Sequence, residues 1–459
     1  MRGSLAQLAA SIAGARMTRD ADFEGVSTDS RTAPAGALFV ALRGESFDAH
    51  DFLDQVAARK VAAVVVEKLP ENFPLPALVV PDTLAALGRI GNAWRSRFAI
   101  PVIGVTGSNG KTTVKEMISA ILAASFGDAA RLATQGNLNN EIGVPLTVMR
   151  LDAVHRAAVV ELGMNHPGEI ARLAAIAEPT VALVNNAQRE HQEFMHTVEA
   201  VARENGAVLQ ALPADGVAVF PGDDEYTALW RGLAGERPVL TFGLTDACDV
   251  RASYTPNSFG SDLEVTSPHA RFSIKLAAAG EHNVRNALAA TACALAAGIS
   301  QDAIVRGLEA FAPVNGRLQR KQAACGATVI DDSYNANPDS VRAAIDVLAQ
   351  SAAPRILVLG DMGEVGTQGP EFHEEIGGYA AGRGIESVLV TGALARHMTG
   401  AGAQHHEQFD DLLAALDKQM RQLGSKSDAT VLVKGSRFMK MERVVQHLVQ
   451  SPNTGKDFH

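Results

Sequence analysis

The chain has 459 residues, 47% hydrophobic and 20% charged, with a formal net charge of −10. That length suits about three domains, the composition is that of an ordinary globular protein, and the acidic balance argues against a surface built for nucleic acid or an anionic membrane. Three widely spaced cysteines, Cys248, Cys293 and Cys325, indicate neither a disulfide framework nor a zinc site; the apolar block in MRGSLAQLAASIAGAR is too weak for a secretory signal and no membrane-length apolar run follows, so a cytoplasmic chain is expected.

In chain order, residues 1–98 read as a small α/β domain, with strands at Leu38–Leu42, Ala62–Val66 and Leu78–Val80 and helices near Asp51–Arg59 and Thr83–Arg97. Residues 99–312 read as a P-loop ATPase-like domain. Its strands are predicted at Val102–Val105, Ala157–Leu162, Val181–Asn185 and Gly216–Phe220, with a helix over Val114–Ala123 and further helical segments between them. That alternation predicts a mostly parallel sheet with helices on both faces. Short alternating stretches over Pro238–Lys275 predict an antiparallel edge, followed by helices Asn283–Ala297 and Ala303–Phe311. Residues 313–459 place strands Thr328–Ile330, Arg355–Leu359, Ser387–Val390 and Thr430–Val433 between helices, a Rossmann-like doubly wound sheet. The tail SPNTGKDFH is expected to be disordered. The fold class is therefore α/β in three domains.

The most informative stretch is VIGVTGSNGKTTVKEM, residues 102–117. A short apolar strand ends in a turn in which Gly107 and Gly110 let the backbone bend sharply, so that amides around Ser108 and Asn109 face the start of a helix whose dipole favours anions. Lys111 adds a mobile positive charge there, Thr112 offers a hydroxyl for Mg²⁺, and Thr113 follows on the first turn. The strict G-x-x-x-x-G-K-[ST] pattern is not met, because Val105 stands where it asks for glycine. A phosphate loop is still a better reading than an ordinary strand–turn–helix corner.

Other polar residues gather just after strands. Glu161 ends the strand AAVVEL, where open α/β sheets bind ligands; taken alone it is equally read as a solvated strand-end side chain. His191 follows Asn185–Glu190 and gains a metal role only if it shares a cation with Glu161, as two-metal phosphoryl-transfer sites do. Thr134, Gln135, Asn137, Asn139 and Asn140 give one loop the neutral hydrogen-bonding capacity that suits a sugar–phosphate. GEHNVRNALAA (280–290) sets His282, Asn283 and Asn286 at a helix start, where Asn283 is either a cap or a reader of an adenine edge. Arg317 lies at the second block boundary, IDDSYNANPDS (330–340) brings Asp332, Asn335 and Asn337, and LVLGDMGE (357–364), His373 and LVKGSRFMKME (432–442) end strands of the third block with charge. Polar loops at strand ends in two domains predict a nucleotide bound in the middle domain and closed over by the third.

Together these segments resemble the Mur ligase family, the ATP-dependent amino-acid ligases of bacterial peptidoglycan precursor synthesis, over essentially the whole chain. The resemblance makes TGSNGKTT the phosphate loop, Glu161 and His191 metal residues with Thr112, Asn283 the adenine reader, Arg317 the interdomain arginine and Asp332 the ribose contact. Three stretches, 27–52, TQGNLNNEIGVPLT and DDSYNANPDS, look like the family member that adds a dipeptide. There the first would hold the uridine end of the substrate through Ser30 and Arg31, the second the sugar and pyrophosphate, and Asn335 and Asn337 would serve the substrate from the third.

The resemblance thus implies ATP and Mg²⁺ as cofactors, and UDP-N-acetylmuramoyl-tripeptide and D-alanyl-D-alanine as substrates joined through an acyl phosphate. It implies no nucleic-acid or membrane partner, and a monomer. The UDP-sugar would be held by 1–98, ATP by 99–312, and the dipeptide by 313–459. One departure stands out: the family carries a lysine, carbamylated to bridge a second metal, where AVARENGAV has Asn205. Either a carboxylate takes its place, with neighbouring Glu204 the candidate, or the second cation is held more weakly. The rivals are a sibling Mur ligase, a folylpolyglutamate-type ligase, and a nucleotide switch, which leaves 27–52 and 134–145 without a role.

Overall fold

Runs of four or five residues that are buried at every position build the centre of the molecule: Val102–Thr106, Ala157–Glu161 and Val181–Val184. Burial on both faces is the signature of parallel strands sandwiched between helices. The computed structural model describes residues 1–44, 47–257, 259–423 and 428–450, and its largest sheet has nine strands. From one edge to the other these are Arg131–Ala133, Ala157–Glu161, Val102–Thr106, Val181–Val184, Val217–Pro221, Val239–Gly243, Val250–Asn257, Gly260–Thr266 and Arg271–Leu276. Helices Lys111–Phe126, Glu281–Ala296 and Gln301–Glu309 cover one face, burying Ile103, Met117, Ile121, Leu288 and Ile304. Glu169–Ala177, Val198–Gln210 and Thr227–Ala234 cover the other.

The antiparallel edge is narrower than the alternation over 238–275 predicts. Val239–Gly243 pairs in parallel with both Val217–Pro221 and Val250–Asn257, and only the last two strand pairs are antiparallel. The burial patterns explain this. Arg271–Leu276 alternates exposed and buried positions, as a sheet with one wet face must, whereas Val239–Gly243 ends in three consecutive buried residues. The three-residue strand Arg131–Ala133 at the opposite edge is too short to announce itself by periodicity.

The third block is a six-stranded sheet in the order Gln319–Gln322, Thr328–Asp332, Thr430–Lys434, Arg355–Leu359, Ser387–Thr391, Gln404–His406. All but the first are parallel, with helices on both faces. The first block holds a five-stranded sheet, Arg16–Met17, Ala77–Val79, Ala63–Val66, Leu38–Val40 and Val26–Ser27, and a separate pair, Arg2–Ser4 with Asp22–Glu24. Helix Thr83–Arg95, capped by Asp82, buries Ala86, Leu87 and Ile90 in the first block's core. Its other side meets the central block: Arg95 donates to the carbonyls of Ala177 and Glu178, at 2.9 and 3.0 Å. The tail SPNTGKDFH lies outside the described residues. Among the described residues no helix is long and apolar enough to cross a membrane.

The phosphate-loop helix is held in place by an unusually close neighbour. A Cβ at Gly307, on helix Gln301–Glu309, would lie 2.4 Å from Ile121 Cα and 2.6 Å from Ile121 N. Alanine's helix propensity would contribute about 1 kcal/mol, but overpacking costs about 1–3 kcal/mol, and backbone cannot rotate away. Gly307→Ala is therefore expected to lower the midpoint of urea unfolding with an unchanged m-value; a midpoint at or above that of the unsubstituted protein would show that the two helices can separate freely.

Candidate active site

The strand Val102–Thr106 leads into a turn that only glycine can make at two positions. Gly107 and Gly110 have φ of +133° and +81°. A Cβ at Gly107 would come within 2.9 Å of Asn185 Cβ, and one at Gly110 within 2.5 Å of Asn286 Oδ1. What crowds them is the loop that follows strand Val181–Val184, joined at Gly110 by Asn286 of helix Glu281–Ala296. Asn186 accepts from Ser108 N through its carbonyl (3.2 Å) and from Asn109 N through Oδ1 (2.9 Å). Asn185 and Asn186 side chains both donate to the Asn109 carbonyl (2.8 and 2.9 Å), and Gln188 N donates to Ser108 Oγ (2.9 Å). Gly107 N donates to Asn205 Oδ1 (3.0 Å). The amides of residues 107–109 therefore shape the turn, which leaves those opening helix Lys111–Phe126, with their dipole, for an anion.

Lys111 curls over this turn. Its Nζ donates to the carbonyls of Gly107 and Ser108 and to Glu190 Oε2, the last at 3.2 Å. Glu190 is 7% exposed, and burial pushes its carboxyl above the usual range against the pull of Lys111 and His191. Glu161 is 2% exposed; its Oε1 accepts from Thr112 Oγ1 (3.2 Å) and Asn139 Nδ2 (2.8 Å), while Thr134 Oγ1 accepts from its backbone N (2.9 Å). Its Oε2 is buried without a donor. A carboxylate oxygen so placed is costly, and together with the Thr112 hydroxyl it fits a hard cation such as Mg²⁺. His191 sits in the same cavity, but its Nδ1 is 2.8 Å from Glu364 Oε2 of the third block. Among the described residues no group of three or more His, Cys, Asp or Glu side chains is set for a metal.

A cavity of about 850 Å³ joins these residues to the third block and reaches Leu84 of the first. It is lined by Ser108–Thr113, Asn137, Asn139, Asn140, Glu161, His191, Asn283, Arg317, Asp332, Asn335 and Asn337. Arg317 stacks on Tyr334, 4.4 Å from the ring centroid, with Arg437 at 5.6 Å from the same ring. Asp332 spends both oxygens internally, on Leu318 N (3.1 Å) and Lys434 Nζ (2.6 Å). Asn283 donates to the Ala279 carbonyl (2.7 Å) and accepts from Asn286 (3.1 Å), whose Oδ1 accepts from Asn185 (2.9 Å), so an amide chain runs from the helix start to the phosphate loop. Burial and nearby Lys434 push His282 down to about 4, which keeps it neutral near pH 7. Asn335 Oδ1 accepts from Ala336 N (2.9 Å), and Asn337 caps helix Pro338–Ala349 through Ser340 N (2.8 Å) while pairing with Asn109 across the domain boundary (2.9 Å). His373 is fully buried, accepting from Met362 N and facing the Gly369 carbonyl, and serves the fold.

Four expected substrate residues do not line this cavity. Thr134 is buried behind Glu161, Gln135 is exposed, and Ser30 and Arg31 belong to a first-block turn where Arg31 pairs with Asp29 (2.9 Å) and holds that carboxyl down at about 2.

Family models match three successive parts of the chain: "Mur ligase family, catalytic domain" over residues 22–95, "Mur ligase middle domain" over 105–294, and "Mur ligase, glutamate ligase domain" over 316–437. The chain belongs to the Mur ligase family. The UDP-N-acetylmuramoyl-tripeptide--D-alanyl-D-alanine ligase of Escherichia coli (strain K12) is 38% identical over 450 residues, 98% of each chain. The ligase of the same name from Bacillus subtilis (strain 168) is 34% identical over 451 residues, 93% of each. A crystal structure of MurF from Acinetobacter baumannii superposes with a TM-score of 0.89 at 36% identity, covering 94% of each chain. MurF from Thermotoga maritima, solved in complex with ADP, gives 0.84 at 26%, covering 93% of this chain and 97% of that one.

The Mur ligase departure at 204–205 resolves against Glu204. Its two oxygens accept from Gly168 N (2.8 Å) and Ile170 N (2.9 Å), capping helix Glu169–Ala177, and it does not line the cavity. Asn205, 1% exposed, faces the phosphate loop instead. Sequence reading also passed over Arg189. Its guanidinium grips Asp339 (2.6 Å) and Glu375 (2.7 Å) of the third block, and Arg342 backs Glu375 (2.9 Å). The only hint was a charged pair, Arg189-Glu190, in a loop at a strand's carboxyl end.

Charge-assisted hydrogen bonds of this kind contribute about 1.5–3 kcal/mol. Arg189→Met is expected to let the third block swing away, raising the radius of gyration measured by small-angle X-ray scattering. A scattering profile identical to the unsubstituted protein's would remove Arg189 from any part in holding the blocks together.

Proposed function

We propose that this chain is an ATP-dependent ligase that joins D-alanyl-D-alanine to the terminal carboxylate of UDP-N-acetylmuramoyl-tripeptide, a step of peptidoglycan precursor synthesis. The observation that carries the reading is the likeness, at 38% identity and over 98% of both chains, to a ligase of that name. The cavity supports it: a phosphate loop forms one wall, and a domain able to bring an amine forms the other. We assign UDP-sugar binding to residues 1–98, with Ser30 and Arg31 reached by the uridine end, ATP to 99–312 and the dipeptide to 313–459. The chain acts as a monomer in the cytoplasm, where its nucleotide substrates are.

The chemistry follows from what a carboxylate lacks. It is a poor acyl donor until one oxygen becomes a leaving group, so the tripeptide carboxylate attacks the γ-phosphorus of ATP and ADP departs. The dipeptide amine then attacks the acyl carbon and phosphate leaves. Lys111 exchanges its loop carbonyls and Glu190 for the β- and γ-phosphates, and the helix-start amides hold the same anion. Arg317, delivered by the third block, neutralises charge on the transferring group. Asn283 and Asp332 face the nucleoside, and Asn137, Asn139 and Asn140 the sugar and pyrophosphate. Mg²⁺ held by Thr112 and Glu161, with His191 nearby, would supply further charge neutralisation.

Incubation with ATP, the UDP-tripeptide and labelled D-alanyl-D-alanine is expected to give labelled product, with single amino acids giving none. Incorporation of a single amino acid would point to a sibling or folylpolyglutamate-type ligase, and ATP turnover without an amide to a nucleotide switch. Lys111→Ala is expected to lower kcat by at least about a hundredfold; normal turnover would dismiss the phosphate-loop assignment.

A further inference from the structure

Two buried carboxylates border the phosphate loop. Glu161 meets it at Thr112 Oγ1 and Glu190 at Lys111 Nζ, each at 3.2 Å. They are 2% and 7% exposed, and each keeps one oxygen, Glu161 Oε2 and Glu190 Oε1, buried with no donor. Both line the cavity beside His191. Two such oxygens, on residues that line one polar cavity, are expensive as they stand. A divalent cation is the partner that relieves them.

We infer that Glu190 is a second protein carboxylate for the divalent cations that accompany the nucleotide, beside the Thr112–Glu161 pair. The inference rests on the ATP-dependent reading above. Its first support is the donor inventory around the loop. Asn205 is neutral and its Oδ1 accepts from Gly107 N, and both Glu204 oxygens accept from backbone N–H groups at a helix N-terminus. Neither supplies an anionic oxygen to the cavity, and Glu190 does.

The second support is what nucleotide binding does to Lys111. Its Nζ is shared between two loop carbonyls and Glu190. A polyphosphate at the helix start is the stronger partner for that ammonium. When Lys111 turns toward it, Glu190 gives up this donor while remaining buried, and phosphate-bound cations arrive at the same moment. The third support is the size of the ligand set. Mg²⁺ keeps several waters and takes one or two carboxylates plus substrate phosphates rather than an all-protein cage. A site completed by its own nucleotide needs no cluster of three protein ligands, and among the described residues there is none.

The competing view is that Glu190 only neutralises Lys111. Full-length protein with a non-hydrolysable ATP analogue, titrated with Mn²⁺ and followed by electron paramagnetic resonance, separates the two. The unsubstituted protein is expected to bind two Mn²⁺ per nucleotide, and Glu190→Gln, which keeps the shape and removes the charge, to weaken one of them at least tenfold. Glu204→Gln is expected to titrate like the unsubstituted protein. A single Mn²⁺ in the unsubstituted protein, or a Glu190→Gln titration that matches it, overturns the inference and leaves Glu190 as a counter-ion. Absence of nucleotide binding in the unsubstituted protein would overturn the ATP reading itself and this inference with it. Should Glu190→Gln fail to fold, anomalous scattering from Mn²⁺ in crystals of the unsubstituted protein with the analogue decides the matter. An ion within about 2.5 Å of the Glu190 carboxylate supports the placement, and none there overturns it.

Discussion

Everything at this site hangs on the seam between two loops, residues 107–111 and 185–191. The seam is made of amides: Asn185, Asn186 and Gln188 spend their side chains and backbone on the turn at Ser108 and Asn109. Neutral amides suit the task because each donates and accepts at once; the charged groups at the turn are Lys111, which donates to the Gly107 and Ser108 carbonyls, and its partner Glu190. The seam also decides the glycines. With Asn185 and Asn286 pressed against positions 107 and 110, neither the backbone angle nor the space admits a side chain.

The same seam carries mechanical consequences outward. Loop 185–191 touches the phosphate loop along one side, and with Arg189 and His191 it reaches Asp339, Glu375 and Glu364 of the third block. Asn109 itself pairs with Asn337. The placing of the third block and the shape of the phosphate loop therefore both depend on one seven-residue segment.

Much of this was legible in the sequence. Fully buried five-residue strands such as Val102–Thr106 and Ala157–Glu161 read directly as parallel strands, and Gly-Lys-Thr after an apolar run read as an anion site. Asn283, Arg317 and Asp332 lay in polar loops at strand or helix ends and do reach one cavity. What could not be read was direction and distance. Glu204 and Asn205 are neighbours, yet helix positions one apart point about 100° away from each other, so one caps a helix and the other braces the phosphate loop. Arg189 finds its partners 150 and 186 residues along the chain, a pairing that no local pattern encodes. The place of Val239–Gly243 inside the parallel sheet was hidden for a like reason, since its neighbours, and not its composition, set its orientation.

Helix Thr83–Arg95 has a consequence for how the molecule divides. Its apolar side belongs to the first block's core, while Arg95 and Asn92 tie its other side to carbonyls of the central block. A segment that is interior to two bodies at once removes the freedom of one to turn against the other. The first two blocks are thus joined through a shared helix and its hydrogen bonds rather than by a bare linker.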